Sequence, residues 1–434
     1  MKVQSRFTHY HKSLIRGIFC AGIYFSASYR IVYAQIVNKS FQKTHKISVK
    51  NKPVLLFKIK NNEQHFNYPN QVKQIYLQAG KKLLWIAPDT IKTHAADAMI
   101  MLDCVLQYGL NRTDYHPDEL VYDKLNLYTS KFSTTGFAEK IKFDMLLTDA
   151  ILTFINDLHY GKLNPERRPS QIDGNRFPGF SASAELLKAI SQKDFFVAVE
   201  NVQPKSKAYA NLQYRMHLLE GKVTPECYSF PQAEIRKMAI NMERLRWVET
   251  NESTFIQINI PSFTLKFLTP DSTYKFKVLV GTPATPTLVR VDKLNFFTIQ
   301  RKGIHSDLVF HLKASPLTNI SGNVNNQLFP KQYQAVTTGY ITIEQSDKLA
   351  ELLLKYDSAK HQRIKFHQAI NTGRKERFGL KKAVPVIITY LTLEINDGII
   401  TAYKDIYNKD NDLEMALYNK QILIAQKNNH QVKY

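Results

Sequence analysis

The apolar residues change their spacing near residue 250, and this switch constrains the fold more than any other feature of the chain. Before it, Ala98, Met99, Met101, Leu102, Val105 and Leu106 recur at helical spacing, with Gly109 expected as the C-terminal cap. Residues 143–160 read as a second amphipathic helix stopped by Gly161, and Pro165, Pro169, Gly174 and Pro178 mark the loop after it. Further helices are expected over 184–190, 209–219 and 232–248. After the switch the period is two. Ile256, Ile258 and Ile260 alternate with Gln257 and Asn259, and Phe263, Leu265 and Phe267 alternate with Thr264 and Lys266. Pro270-Asp271-Ser272 makes a turn, and Tyr274, Phe276, Val278 and Val280 resume the alternation, as in a meander with one buried face. Residues 309–312 and 339–343 read as further strands and Ser346–Tyr356 as an amphipathic helix. Val384, Val386, Ile388 and Tyr390 are expected to begin a hairpin turning at Asn396-Asp397-Gly398, and 410–426 to be helical. A block of helices followed by a block of strands is an α+β chain.

Its 434 residues allow two or three domains. The reading divides them into an export signal over 1–34, a lead segment over 35–71, a helical domain over 72–250, and a β domain over 251–434 that ends in a hairpin and helix. The signal rests on the basic start Lys2, Arg6, Lys12 and Arg16, the mostly apolar or small run 18–28, and Ala34 at a cleavage site before Gln35. Arg30 interrupts the approach to that site, and an uncleaved anchor is the alternative. The apolar run falls short of the ~20 residues that span a bilayer, and no later segment is long and apolar enough to do so.

The formal net charge is +22, spread along the chain. It favours anionic partners, but no nucleic-acid-binding motif accompanies it, so it reads as surface attraction rather than base readout. Of the three cysteines, Cys104 and Cys227 follow the signal. Their spacing is not that of a metal site, and whether they pair depends on geometry that sequence does not give. His305 with Asp307 lacks an evident third ligand, so no metal and no cofactor is expected.

Several segments, in order, resemble the scaffold-bearing branch of the L,D-transpeptidases of Gram-negative bacteria. Tyr108-Gly109-Leu110-Asn111 with Asp114-Tyr115-His116, then Asp144-Met145-Leu146-Leu147-Thr148-Asp149-Ala150, then Gly161-Lys162-Leu163-Asn164-Pro165 resemble successive parts of that scaffold. Asn241-Met242-Glu243-Arg244-Leu245-Arg246-Trp247 is the sharpest match and leads, as in the family, to a strand resembling Ile258-Asn259-Ile260-Pro261. Glu243, Arg244 and Arg246 read as intrahelical and domain-junction ion pairs. Val384-Pro385-Val386, Tyr390 and Asp405-Ile406-Tyr407 resemble the family's closing hairpin. Two parts are shortened. About ten residues, 223–232, stand where the family inserts a peptidoglycan-binding module, too few for a domain. Between Phe296-Phe297 and Val309 there is room for one turn where the family has a substrate-capping segment.

The resemblance also implies where the chemistry should lie. The family pattern Ser-x-Gly-Cys-Val-Arg-Val falls on Thr337-Thr338-Gly339-Tyr340-Ile341-Thr342-Ile343. Glycine is kept as Gly339, the cysteine position is Tyr340 and the arginine position is Thr342. The family's Leu-His-x-Thr-Pro strand falls on Leu312-Lys313-Ala314-Ser315-Pro316, placing Lys313 at the histidine position. Thiol-based acyl transfer needs a thiolate, a base and oxyanion donors. A phenol with pKa ~10, against ~8.5 for a thiol, is a poor replacement. Tyr340 is therefore expected to pack into and plug the former site, and Lys313 either to pair with its hydroxyl or to face solvent. His311 shares a strand face with Lys313 and is the one candidate for a displaced base. The resemblance thus implies an exported protein of the periplasm or cell envelope, degenerate at its catalytic positions. It would bind peptidoglycan or a wall-synthesis protein, without specific nucleic acid and without a membrane span in the mature chain. The alternatives are an active transpeptidase with a relocated nucleophile and a basic surface protein that binds polyanions.

Overall fold

Helices fill the chain from Pro69 to Arg246: α1 (Pro69–Gln78), α2 (Ala95–Asp103), short 3-10 turns at Val105–Tyr108 and Arg112–Asp114, α3 (Tyr122–Thr129), α4 (Phe137–Tyr160), α5 (Pro169–Asp173), α6 (Ala182–Ser191), α7 (Phe195–Glu200), α8 (Lys207–Val223) and α9 (Ala233–Arg246). The computed structural model describes residues 66–80, 82–86, 93–130, 134–223, 233–248, 250, 252–302, 305–314, 320–322, 329 and 333–418. All of them fall in one compact unit, 52–86 with 93–434. The expected signal, Cys227, Ser315 and Pro316 lie outside the described residues.

Helix α4 is buried nearly all round, as its apolar stretch Met145–Phe154 requires, and α1, α2, α6 and α9 pack on it. Its carboxylates hold the loops around it. Asp144 accepts hydrogen bonds from the backbone N–H groups of Leu84 (3.0 Å), Trp85 (2.8 Å) and Ile86 (3.0 Å) and from the Tyr76 hydroxyl. Thr148 accepts from the Trp85 indole at 2.9 Å. Asp149 accepts from the N–H groups of Asn67 and Tyr68, both at 2.9 Å, and lies 2.7 Å from His116 Nε2. Asp157 accepts from the Tyr115 hydroxyl at 2.8 Å. Burial pushes the Asp144 carboxyl up to about 6 and that of Asp157 up to about 7.

Helix α9 joins the two halves, and its polar residues have distinct tasks. Glu243 and Arg246 are fully buried and pair at 3.1 Å. Glu243 also accepts from Leu163 N–H (2.7 Å) and the Trp247 indole (3.0 Å), and Arg246 donates to the Tyr108 carbonyl and to the Tyr209 hydroxyl (2.8 Å). Gly161 sits at φ +84°, where an added Cβ would lie 2.7 Å from Trp247 and 2.8 Å from Glu243, so only glycine fits beside this pair. Toward the other half, Asn241 accepts from Thr392 N–H at 2.9 Å and Arg244 donates to Asp410 at 2.6 Å.

The second half is a closed barrel. Its strands are β1 (Phe255–Asn259), β2 (Thr264–Leu268), β3 (Thr273–Gly281), β4 (Arg290–Lys302), β5 (His305–Leu312), β6 (Ile320–Gly322), β7 (Ala335–Thr337), β8 (Ile341–Ile343) and, after helices α10 (Ser346–Tyr356) and α11 (Lys360–Thr372), β9 (Glu376–Thr389). The order β2-β1-β9-β4-β5-β6-β8-β3 is closed by pairing of β2 with β3, and β7 adds to β3. Alternate residues such as Ile258, Leu265, Val278, Phe310, Ile341 and Val386 form one apolar core, to which α10 adds Leu349 and Leu353 and α11 adds Phe366. β10 (Leu393–Asn396) and β11 (Ile399–Ala402) make a separate hairpin, and α12 (Asp410–Tyr418) ends the described chain. The chain is α+β.

In the second half three details differ from the sequence reading. Strand β9 does not belong to the hairpin that turns at Asp397-Gly398. It lies between β1 and β4 in the barrel, and the turn, with both residues at positive φ, joins β10 to β11. Strand β4 was not anticipated at its length, because a bulge between Leu294 and Phe296 shifts its inward register. Helix α11 escaped because it buries only Phe366 and Ala369.

Candidate functional site

The registers of β5, β6 and β8 bring the expected site positions to one end of the barrel. Phe310 pairs with Ile320, and Ile320 with Ile341, so His311 and Tyr340 stand at the same level two strands apart. At the usual strand spacing that is about 10 Å. Phe310 and Ile341 belong to the core, so by alternation His311 and Tyr340 lie on the outer face.

The turn before β8 is made by Gly339, at φ +95°. It is pinned by the loop 282–287 that leaves β3. A Cβ on Gly281 would lie 2.1 Å from the Thr285 oxygen, 2.8 Å from Thr287 N and 2.9 Å from Gly339 Cα, so glycine at 281 lets that loop lie directly against the turn. Thr287, fully buried, accepts from Gly281 N–H at 2.9 Å and donates to the Gly339 carbonyl at 3.1 Å. Tyr407 donates to the Gly281 carbonyl at 2.7 Å and accepts from Thr287 N–H at 3.2 Å. Thr337 donates to the Tyr340 carbonyl at 2.6 Å, and its own carbonyl accepts from Thr282 N–H at 3.0 Å and the Thr285 hydroxyl at 3.3 Å. Each carbonyl of the turn named here accepts a hydroxyl, so a knot of threonines and one tyrosine fixes its shape.

The side chain of Tyr340 is 46% exposed. Its ring is therefore partly in solvent and not packed away as expected, while the Thr285–Thr287 loop packs against the backbone of Gly281 and Gly339. Thr342, where the family has arginine, is buried with its hydroxyl 3.3 Å from that of Ser321. The Lys313 side chain is exposed, while its backbone N–H donates to the Lys293 carbonyl at 2.9 Å. His311 Nε2 is 2.9 Å from the Thr298 hydroxyl, and its ring stacks on Phe296 at 4.4 Å, with the Arg377 guanidinium 3.8 Å from the centre of that same Phe296 ring. Partial burial, and then the nearby Arg377 charge, lowers the His311 pKa and so favours the neutral imidazole.

Cys104 lies in the helical half, at the C-terminal end of α2. Among the described residues no three His, Cys, Asp or Glu side chains converge as a metal site, and the His305 side chain lies outside them. No helix among the described residues is long and apolar enough to cross a membrane. The loop 282–287 and Tyr407 were not singled out as site residues from the sequence. The cluster Gly281-Thr282-Pro283-Ala284-Thr285-Pro286-Thr287 does carry a loop signal, but not the information that it would fold onto Gly339.

Residues 70–216 match the model of a family described as "Scaffold domain". A Haemophilus influenzae (strain Rd) protein named "Putative L,D-transpeptidase" is 23% identical over 42% of this chain and 50% of its own. The chain is a relative of the scaffold-bearing L,D-transpeptidases. It spans about half the length of the curated relative it matches.

Proposed function

We propose that this is an exported, catalytically inactive L,D-transpeptidase-like protein that binds peptidoglycan, alone or with a wall-synthesis protein. The observation that carries the reading is the turn at Gly339-Tyr340. An exposed phenol stands where the resemblance expects the thiol, and the Thr287 hydroxyl and the Tyr407 phenol clamp the backbone around it. Among the described residues the expected candidate base, His311, stands two strands away from Tyr340. The retained scaffold and closed barrel supply a surface without the acyl-transfer step. Export through residues 1–34 would deliver that surface to the wall.

The test uses purified mature protein, isolated sacculi and a muropeptide donor and acceptor. The expected result is retention on sacculi in high salt with no L,D-cross-linked product. Formation of that product would overturn the reading in favour of a relocated nucleophile. Retention that vanishes with salt and extends to any polyanion would replace it with non-specific charge attraction.

A further inference from the structure

Helix α11 is held to the barrel by one side only. Phe366 and Ala369 are its buried residues, and the Phe366 ring meets those of Phe297 and Phe378 edge to face at 5.8 and 5.5 Å. With that side fixed inward, helical spacing turns Lys360, His361, Ile364, Gln368 and Asn371 outward, and all five are exposed. Ile364 stands near the middle of this face with 62% of its surface in water. A lone exposed isoleucine is ordinary; what sets this one apart is its surroundings.

Those surroundings are basic. From Ser346 to Lys382 there are ten Lys and Arg against four Asp and Glu, and α11 itself has no acidic residue. Glu351 answers Arg363 at 3.1 Å and Glu376 answers Lys365 at 2.9 Å. Lys355, Lys360 and Lys375, at the two ends of the helix, are exposed and pair with no carboxylate among the described residues. The helix is also set against its own dipole. Its first turn carries no acid, Ala359 supplies no side-chain cap, and Lys360 and His361 stand at the positive end. A basic start of this kind costs the isolated helix stability, which an anionic partner would return.

An apolar residue among cations, on a helix anchored from behind, has to be met by a surface that is anionic outside and apolar beneath. We propose that α11 lies on the surface of an anionic lipid bilayer, with Ile364 at the top of the acyl chains and Lys360 and Lys365 among the headgroup phosphates. A soluble polyanion would meet the charge and leave Ile364 in water. A second copy of the chain would bring the same positive charge. The contact needs no membrane span, and it is independent of the wall-binding reading.

The test is co-sedimentation of the full chain with phosphatidylcholine vesicles, with and without about one-third phosphatidylglycerol, and heparin as the polyanion without an apolar layer. Binding should require the anionic lipid and weaken with salt. Ile364→Gln keeps a good helix former at an exposed position. It should leave Tm unchanged and weaken vesicle binding about tenfold, with heparin binding as in the parent chain. Lys360→Glu removes a cation and adds an anion, and should weaken vesicle binding about thirtyfold. In Ile364→Trp the tryptophan emission should move to shorter wavelength on anionic vesicles and stay in place on heparin. Equal binding to neutral vesicles, full vesicle binding by Ile364→Gln, or an emission that does not move would overturn the proposal; the last two would leave a face that binds polyanions by charge alone. Binding that survives all the α11 variants would place the contact elsewhere in the chain and equally overturn it. Retention on sacculi without vesicle binding sinks this inference and spares the wall reading; vesicle binding without retention on sacculi does the reverse.

Discussion

The helical half and the barrel solve the same problem with different groups. Both must fix irregular backbone against a packed core. The helical half does it with buried carboxylates: Asp144 gathers three backbone N–H groups, Asp149 two, and Glu243 with Arg246 ties the junction. The barrel does it at its candidate site with neutral hydroxyls, those of Thr285, Thr287, Thr337 and Tyr407. Buried charge binds more strongly and fails more severely, because a lost partner leaves an ion in a medium that solvates it poorly. Hydroxyl clamps cost less to lose and do not titrate near neutral pH. The two halves should therefore respond differently to mutation and to acid.

The largest effect should come from breaking the buried pair. Arg246→Ala leaves Glu243 charged and buried and is expected to cost about 3–5 kcal/mol, read as a shift of the urea midpoint. A cost below about 1 kcal/mol would mean that water reaches the pair and that the contrast between the halves is smaller than drawn here.

Acid comes next. Asp157 is raised to about 7 and Asp144 to about 6 in the folded chain, both by burial, against about 4 when unfolded. The folded state therefore holds more protons than the unfolded state between about pH 4 and 7, so stability is fullest at the acid end of that window and falls as pH rises through the folded values. The slope should not exceed about 1.4 kcal/mol per pH unit for each group. Urea titrations across the window should show the decline, and Asp157→Asn should flatten it above about pH 6. An unchanged slope in that variant would place the effect elsewhere.

Thr287→Val keeps the shape of the barrel clamp and removes its hydroxyl. It strands Gly281 N–H and the Gly339 carbonyl and should cost about 1–3 kcal/mol. Loss of the Gly339 turn's amide exchange protection with little change elsewhere would localise the damage. The smallest effect is expected at the most conspicuous residue. Tyr340→Ala should change stability by less than about 0.5 kcal/mol, since its ring is largely in solvent. A cost of several kcal/mol would restore the expectation that the ring plugs the site.

How much of this was legible in the sequence depends on how local each feature is. The change of period near residue 250 announced an α+β chain, because helix and strand faces repeat at different spacings whatever they pack against. The Asp-Gly turn between β10 and β11 was equally local. The partner of β9 was not. Val386 pairs with Ile256 across 130 residues, and no local pattern at Val384-Pro385-Val386 says that the strand enters the barrel instead of the hairpin. The site divides in the same way. Gly339, Tyr340, Thr342, Lys313 and His311 could be named from the resemblance, but the close approach of the Thr285–Thr287 loop to Gly339, which glycine at 281 permits, is revealed only by the fold.

The central claim is that the turn at Gly339-Tyr340 no longer carries a nucleophile. Intact mass of the mature protein after incubation with a carbapenem, which acylates the cysteine of active L,D-transpeptidases, tests it most directly. The account predicts an unmodified mass in a sample whose circular dichroism shows the fold intact. A stable adduct mapped to any residue near His311 or Tyr340 would contradict it and make this chain an enzyme.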